Sequence, residues 1–129
     1  MTDPIGDFLI RIKNASRVGK ETVSVPFSNI KSAIAELLSN KGYVGAVTNK
    51  TKGKSKILSI ELVYKNDRPA VTDVERISKP SRRLYKKAKE ITRYRRGYGL
   101  AVFSTPRGIL ADTDAKKENV GGEHLFNIW

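Results

Sequence analysis

The sequence predicts an α+β protein, in which an N-terminal α-β-α-β-β unit packs against a mostly β C-terminal domain with short helices. Residues 5–15 and 30–38 carry apolar side chains at helical spacing, which is typical of amphipathic helices. Residues 56–64 instead alternate between apolar and polar side chains, which indicates a strand with one buried face. In the rest of the chain the apolar runs are short. We therefore expect one domain over residues 1–64 and a second over residues 65–129.

Capping signals place the N-terminal elements. Asp3 is a suitable N-cap and Pro4 suits the first helical position, so the first helix begins here, and Gly19 ends it. Ser28 or Asn29 can cap the second helix, which ends at a C-cap glycine, Gly42. The strands of this unit are predicted at residues 22–26, 43–49 and 56–64, and a basic loop over residues 50–55 joins the last two.

The C-terminal elements are shorter. Residues 65–69 contain Asn, Asp and Pro, which break the pattern and mark the domain boundary. Asp112 can cap a short helix that ends at Glu118. The remaining predictions are strands near residues 74–78, 83–85, 100–103, 109–110 and 125–129, and a helical turn near residues 88–94.

Composition excludes several classes of protein. The formal net charge is +12, which self-repulsion disfavours unless a polyanionic partner binds. The chain has no cysteine and only one histidine, His124, so it predicts no disulfide scaffold, no metal site and no cofactor. Asp3 and Asp7 interrupt any signal-peptide pattern, and no apolar stretch approaches the ~20 residues of a membrane helix. We expect a soluble, cytoplasmic protein without a membrane partner.

The most cationic part of the chain is residues 79–96. It holds nine Lys and Arg residues against one carboxylate, Glu90, and it includes Tyr85 and Tyr94, with Tyr98 just beyond. Cations contact phosphates, and tyrosine stacks on unpaired bases, so this pattern favours nucleic-acid binding. The alternative is a solvated basic face whose tyrosines pack in the core.

Two short motifs lie further along the chain. Residues 104–108 read Ser-Thr-Pro-Arg-Gly after an apolar run, so two hydroxyls and a cation stand at a fixed turn that can contact an RNA minor groove. The alternative is an ordinary hairpin turn, in which the same residue types are common. Gly121 and Gly122, followed by Glu123, allow a backbone to approach another chain closely and can expose amide donors.

These motifs, taken together, resemble the S-eight family of ribosomal small-subunit proteins, bacterial type. Its C-terminal signature is similar to residues 99–112, to Ala115 and to residues 119–123. The similarity runs nearly end to end, with motifs in the same order. The N-terminal matches are residues 3–9 and 11–15, residues 25–28 and residues 42–43, and residues 79–83 in the C-terminal half resemble the family's basic turn.

The resemblance implies a structural constituent of the small ribosomal subunit. Such a protein would be a primary binder of the central domain of 16S-type rRNA that helps assemble the platform, would be monomeric when free, and would adjoin neighbouring ribosomal proteins. It would also repress its own operon mRNA. Pro106 stands where serine is common, which removes a hydroxyl and a backbone donor. The RNA contacts carried over are Ser104, Thr105, Arg107, Gly121, Gly122, Glu123 and Tyr85, followed by Lys79, Arg82 and Arg83.

Parts of the sequence also fit two other functions. The charge and the α-β-α-β-β unit also suit a free-standing regulator that binds double-stranded RNA or DNA. Asp112 and Asp114, with His124 as a base, suggest a small metal-dependent nuclease. A cap, a first-turn acid and a strand residue explain these three side chains more simply, so we expect no catalytic residues and no enzyme.

Overall fold

The computed structural model describes residues 3–129, apart from the side chains of Lys52 and Arg96. These residues form two compact units. One comprises residues 4–72, and the other comprises residues 73–129 together with Asp3. No helix in residues 3–129 is long and apolar enough to cross a membrane.

The first unit contains the predicted α-β-α-β-β order. Its sheet is antiparallel, with β3 between β1 and β2. Ser28 is the N-cap of the second helix, and its hydroxyl accepts a hydrogen bond from the backbone N–H of Lys31 at 3.2 Å. The elements are α1 (Pro4–Arg17), β1 (Thr22–Pro26), α2 (Asn29–Asn40), β2 (Val44–Lys52) and β3 (Ser55–Leu62), followed by the paired short strands β4 (Tyr64–Lys65) and β5 (Arg68–Pro69).

The apolar stripes of both helices face the core of this unit, but the buried face of α2 differs slightly from the predicted one. Phe8, Leu9 and Ile12 of α1 are buried, as the spacing predicts. In α2 the buried face is displaced toward Ala35, while Ile30 is 38% exposed. Ile30 lies in the first turn of the helix, and the middle and last turns supply the residues that the sheet covers.

The second unit is built on an antiparallel sheet in the order β6-β10-β8-β9, with β7 also paired to β10. Its strands are β6 (Val74–Arg76), β7 (Tyr85–Lys86), β8 (Leu100–Thr105), β9 (Gly108–Ala111) and β10 (Gly122–Ile128). Two 3₁₀ turns, Ala88–Glu90 and Tyr94–Gly97, and one helix, α3 (Asp112–Lys117), complete the unit. The α+β class is confirmed.

Asp112 does not cap α3 as the sequence suggests. The N-cap is Ala111, and Asp112 is the first helical residue and is 2% exposed. Its two carboxylate oxygens accept backbone N–H groups, one from Thr113 at 2.9 Å and one from Tyr94 at 2.6 Å. Asp112 therefore fixes the second 3₁₀ turn to the start of the helix, a contact that a local motif does not reveal.

Candidate nucleic-acid interface

The Ser-Thr-Pro-Arg-Gly motif is a tight β-hairpin. Thr105 pairs with Gly108 across β8 and β9, and Pro106 and Arg107 form the turn. The Thr105 hydroxyl donates to the carbonyl of Gly108 at 2.8 Å and accepts from the backbone N–H of Arg107 at 3.1 Å. The hydroxyl therefore uses both its donor and its acceptor capacity within the hairpin. For Thr105, the ordinary-turn interpretation therefore accounts for the side chain.

Ser104 is the hydroxyl that the hairpin leaves available. It is half-buried near the end of β8, between Ile109 of β9 and Glu123 of β10 in the register of the sheet. Within the described residues, its side chain makes no hydrogen bond to the protein. A hydroxyl in a fixed position with free donor and acceptor capacity can bridge a ribose 2′-OH or a base edge.

The two glycines before Glu123 bring three backbone segments together. A Cβ on Gly121 would lie 2.9 Å from the Cα of Lys87 and 3.0 Å from the nitrogen of Ala88. A Cβ on Gly122 would lie 2.9 Å from the carbonyl carbon of Ser104. Only a residue without a side chain fits at this separation. The close approach that the glycines permit is therefore made first within the protein itself.

These segments line a groove of about 700 Å³ in the second unit, which we call the Ser104 groove. It lies where β7 and β8 pair with the two sides of β10. Six of the ten sequence-predicted contacts line it: Tyr85, Ser104, Thr105, Gly121, Gly122 and Glu123. It is also lined by Lys86, Lys87, Ala88, Glu90 and Pro106.

Two lysines, Lys86 and Lys87, stand beside two carboxylates, Glu90 and Glu123, in the lining of the Ser104 groove. Lys86 and Lys87 are exposed and so is the ring of Tyr85, at 67%. Glu90 is the single carboxylate of the basic run, and its Oε1 accepts the backbone N–H of Lys87 at 2.8 Å. Neither lysine forms an ion pair within the described residues, so both ammonium groups remain available to a polyanion. Lys86 was missing from the predicted contacts, since only the pairing of β7 with β10 brings it to the groove.

The other four predicted contacts do not line the groove. The exposed guanidinium of Arg83 lies 3.4 Å from Glu123, whose side chain is only 13% exposed, so Glu123 positions Arg83. Arg107 lies 3.7 Å from Glu118, an exposed pair of the kind that contributes little to stability. Lys79 and Arg82 exchange two backbone hydrogen bonds of 2.9 Å, which makes an exposed turn of its own.

The three tyrosines of the basic region differ in environment. Tyr94 packs on the core and lies 6.1 Å from Trp129, between ring centroids. Arg95 stacks over Trp129 at 4.2 Å, and its backbone has a positive φ of 48°. Tyr98 is 86% exposed. The core interpretation therefore holds for Tyr94, whereas Tyr85 and Tyr98 present their rings to solvent.

His124 and Asp112 do not form a catalytic site. The His124 ring is buried, stacks on Phe103 at 4.6 Å, and its Nε2 lies 2.7 Å from Oδ1 of Asn127. Because the Asn127 amide donates to Glu75 at 3.0 Å, its oxygen is the acceptor and His124 Nε2 carries the proton. Burial lowers the pKa of His124, and Lys86 lowers it further, although Asn127, Glu75 and Asp112 act in the opposite direction. Across residues 3–129, no group of three or more His, Cys, Asp or Glu side chains could hold a metal.

Comparison with known proteins identifies the family to which this chain belongs. The family model described as Ribosomal protein S8 matches residues 3–129. Proteins named small ribosomal subunit protein uS8 from Mycoplasmopsis agalactiae and Chloroflexus aurantiacus are 44% and 47% identical, and each alignment covers 100% of this chain and 98% of the relative. The protein of the same name from Erythrobacter litoralis is 41% identical with the same coverage. The chain therefore belongs to the ribosomal protein S8 family of the small ribosomal subunit, and it is an RNA-binding structural protein rather than an enzyme.

Proposed function

We propose that this protein is a primary binder of the central domain of 16S-type rRNA, and that it helps assemble the platform of the small ribosomal subunit in the cytoplasm. The observation that carries this proposal is the hydroxyl of Ser104, which has no hydrogen-bond partner in the described part of the chain and is held in a groove beside Lys86 and Lys87. Cations supply affinity for any polyanion, whereas a fixed hydroxyl distinguishes one RNA surface from another. The groove combines the two.

The expected binding mode follows from the shape of A-form RNA. Its major groove is too deep and narrow for side chains, so the wide minor groove and any unpaired bases carry the accessible information. Ser104 would bridge a 2′-OH or base edge in that minor groove. Lys86, Lys87 and Arg83 would neutralise flanking phosphates, and the exposed ring of Tyr85 would stack on an unpaired base or bind a ribose.

The remaining predicted contacts have supporting roles. Arg107 at the hairpin turn and the Lys79–Arg82 turn would bind phosphates, because both are exposed. Gly121, Gly122 and Thr105 would act by setting the shape of the groove, and Glu123 by orienting Arg83. We assign RNA binding to the N-terminal domain, residues 1–64, as well as to the C-terminal domain, residues 65–129, because lysines stand exposed in both.

The test is a comparison of two serine variants on two RNAs. Ser104→Ala should weaken binding to the specific rRNA stem by roughly 1–3 kcal/mol, because a polar RNA group loses its partner. Binding to a random duplex of equal length should stay within about twofold. Ser39→Ala, which removes a half-buried hydroxyl of α2 in the first unit, is the matched control and should change neither affinity. Equal losses on both RNAs would refute readout by Ser104.

The same groove would bind any RNA that imitates the rRNA stem. We therefore also infer repression of the protein's own operon mRNA, as the resemblance implies. A gel-shift assay with that mRNA, with rRNA stem as competitor, tests this point directly. We expect the rRNA stem to displace the mRNA from the protein. Ser104→Ala should weaken binding to the mRNA as much as it weakens binding to the rRNA stem. An mRNA that binds without competition would exclude a shared site.

Outside the ribosome we expect a monomer, whose partners in the subunit are rRNA and neighbouring ribosomal proteins. A net charge of +12 opposes self-association, because two copies would repel each other. Sedimentation of the pure protein at moderate salt checks this expectation. A stable dimer would contradict it.

A further inference from the structure

The first unit carries a separate cationic surface at the end of its sheet. Residues 50–56, which we call the lysine hairpin, comprise the end of β2, the turn and the start of β3. They contain Lys50, Lys52, Lys54 and Lys56, and the chain has no carboxylate between Glu36 and Glu61. This charge is therefore not balanced along the sequence, and it lies outside the run at residues 79–96.

The lysine hairpin, formed by β2 and β3, extends past the end of β1, the remaining strand of this sheet. The pairing of β1 with β3 ends where Pro26 faces Ile57, and one further bond joins the N–H of Phe27 to the carbonyl of Lys56 at 3.0 Å. Lys56 also pairs with Thr51, and past this pair the tip is formed by β2 and β3, whose described side chains there are exposed. The two strands are thus reachable from both faces, and Gly53 supplies the positive φ of 64° that the turn requires.

The described lysine side chains point in different directions around this projection. Lys50 pairs with Ile57 and Lys56 pairs with Thr51, so by the alternation of a strand they lie on opposite faces. Lys54 lies in the turn. All three are exposed, and in the described part of the chain neither Lys50 nor Lys54 has a carboxylate partner. A ribbon with cations on both faces suits a partner that presents negative charge on two sides.

Lys56 is fixed more firmly than the other two. Its ammonium lies 4.2 Å from the centre of the Phe27 ring, a cation–π contact. It lines a groove of about 330 Å³ together with Ser24 and Ser55. Neither serine hydroxyl has a partner among the residues that the structure describes. A fixed ammonium beside two free hydroxyls matches a phosphate with its adjoining ribose.

We propose that the lysine hairpin, with the groove at Ser24 and Ser55, is a second RNA-binding surface that holds a phosphodiester segment of the same rRNA. It rests on the proposed function, because the segment belongs to the RNA that the Ser104 groove recognises. Its role is affinity without sequence selectivity, since lysines and serines here meet only phosphate and ribose. Two surfaces on one chain would also hold a long RNA more tightly than either could alone.

The test measures the salt dependence of binding to the rRNA central domain. The slope of log K against log salt is negative, and each phosphate contact contributes about 0.7–0.9 to its magnitude. The triple variant Lys50→Gln/Lys54→Gln/Lys56→Gln should therefore reduce the magnitude of the slope by roughly 2 to 2.7. The difference in affinity from the unaltered chain should then shrink about 20- to 40-fold between 50 and 200 mM salt. An unchanged slope would overturn the proposal.

A matched variant controls for net charge. Lys20→Gln/Lys65→Gln/Lys117→Gln removes three exposed lysines that belong neither to the lysine hairpin nor to the lining of the Ser104 groove. It should lower the slope by less than half as much, and an equal change would contradict a specific role for the hairpin. Should the triple variant melt early because Lys56 loses the Phe27 ring, Lys50→Gln/Lys54→Gln alone should still give about two thirds of the effect.

The outcome separates this proposal from the function on which it rests. If the unaltered chain shows no preference for the specific stem, the proposed function fails. If it keeps that preference and the triple variant has an unchanged slope, only the hairpin proposal fails. Because the chain has no cysteine, Thr51→Cys can carry a tethered cleavage reagent, which should cut the bound rRNA near the hairpin. An absence of cuts in a bound complex would also refute it.

Discussion

Gly122→Ala is the substitution whose effect the structure specifies most fully. The new Cβ would lie 2.9 Å from the carbonyl carbon of Ser104, and closer still to its oxygen. Ordinary carbon–carbon contacts are about 3.5–4.0 Å, so β10 and β8 would have to separate by at least about 0.6 Å. Overpacking of this kind costs about 1–3 kcal/mol, and a weakened ladder hydrogen bond adds about 0.5–1.5 kcal/mol. We expect a total loss of about 2–4 kcal/mol.

Urea denaturation measures this loss, and Gly45→Ala is its control. A Cβ on Gly45 of β2 would lie 3.3 Å from both the Cβ and Oε1 of Glu61, a contact that a shift of a few tenths of an ångström relieves. We expect Gly45→Ala to change the free energy of unfolding by less than about 1 kcal/mol. Gly122→Ala should also weaken binding to the specific stem, because it displaces Ser104. A Gly122→Ala protein with unaltered stability and binding would refute the claim that backbone contact shapes the groove.

Three further predictions concern single side chains. Lys87→Ala should weaken binding to every RNA and lower the salt slope by about 0.7–0.9, and an unchanged slope would remove Lys87 from the phosphate contacts. Because burial lowers the pKa of His124, the unfolded chain takes up a proton below about pH 6.5 that the folded chain resists, so stability falls as pH decreases from 7.5 to 5.5. His124→Gln should lessen that fall in urea denaturation, and the same fall in both proteins would contradict the assignment. Tyr98→Leu should cost about 1–3 kcal/mol in binding if an unpaired base stacks on its ring, with Tyr98→Phe close to the unaltered chain; equal losses would exclude stacking.

Elements with a strong periodic pattern could be predicted from the sequence. The stripe of α1 and the cap of α2 at Ser28 rest on contacts within a few residues, and the structure confirms both. The α-β-α-β-β order of the first unit is confirmed for the same reason. The two-residue strands β4 and β5 were missed, because a pair this short has no periodicity to detect.

The site depended on contacts that the sequence does not display. The motif at residues 104–108 was identified, but the different uses of its two hydroxyls follow from the hairpin geometry. Asp112 was interpreted as a local cap, whereas one of its partners, Tyr94, is 18 residues away. Lys86 reaches the groove only through the pairing of β7 with β10. Local chemistry could therefore be predicted from the sequence, whereas its assembly could not.

The most direct test of the central claim compares two RNAs of equal length at one salt concentration. Filter binding would measure the affinity of the pure protein for the specific stem of the rRNA central domain and for a random duplex. We predict a preference of at least roughly a hundredfold for the specific stem, because a fixed hydroxyl and a shaped groove act in addition to charge. Equal affinity for the two RNAs, and for heparin, would show that charge alone governs binding and would contradict the account.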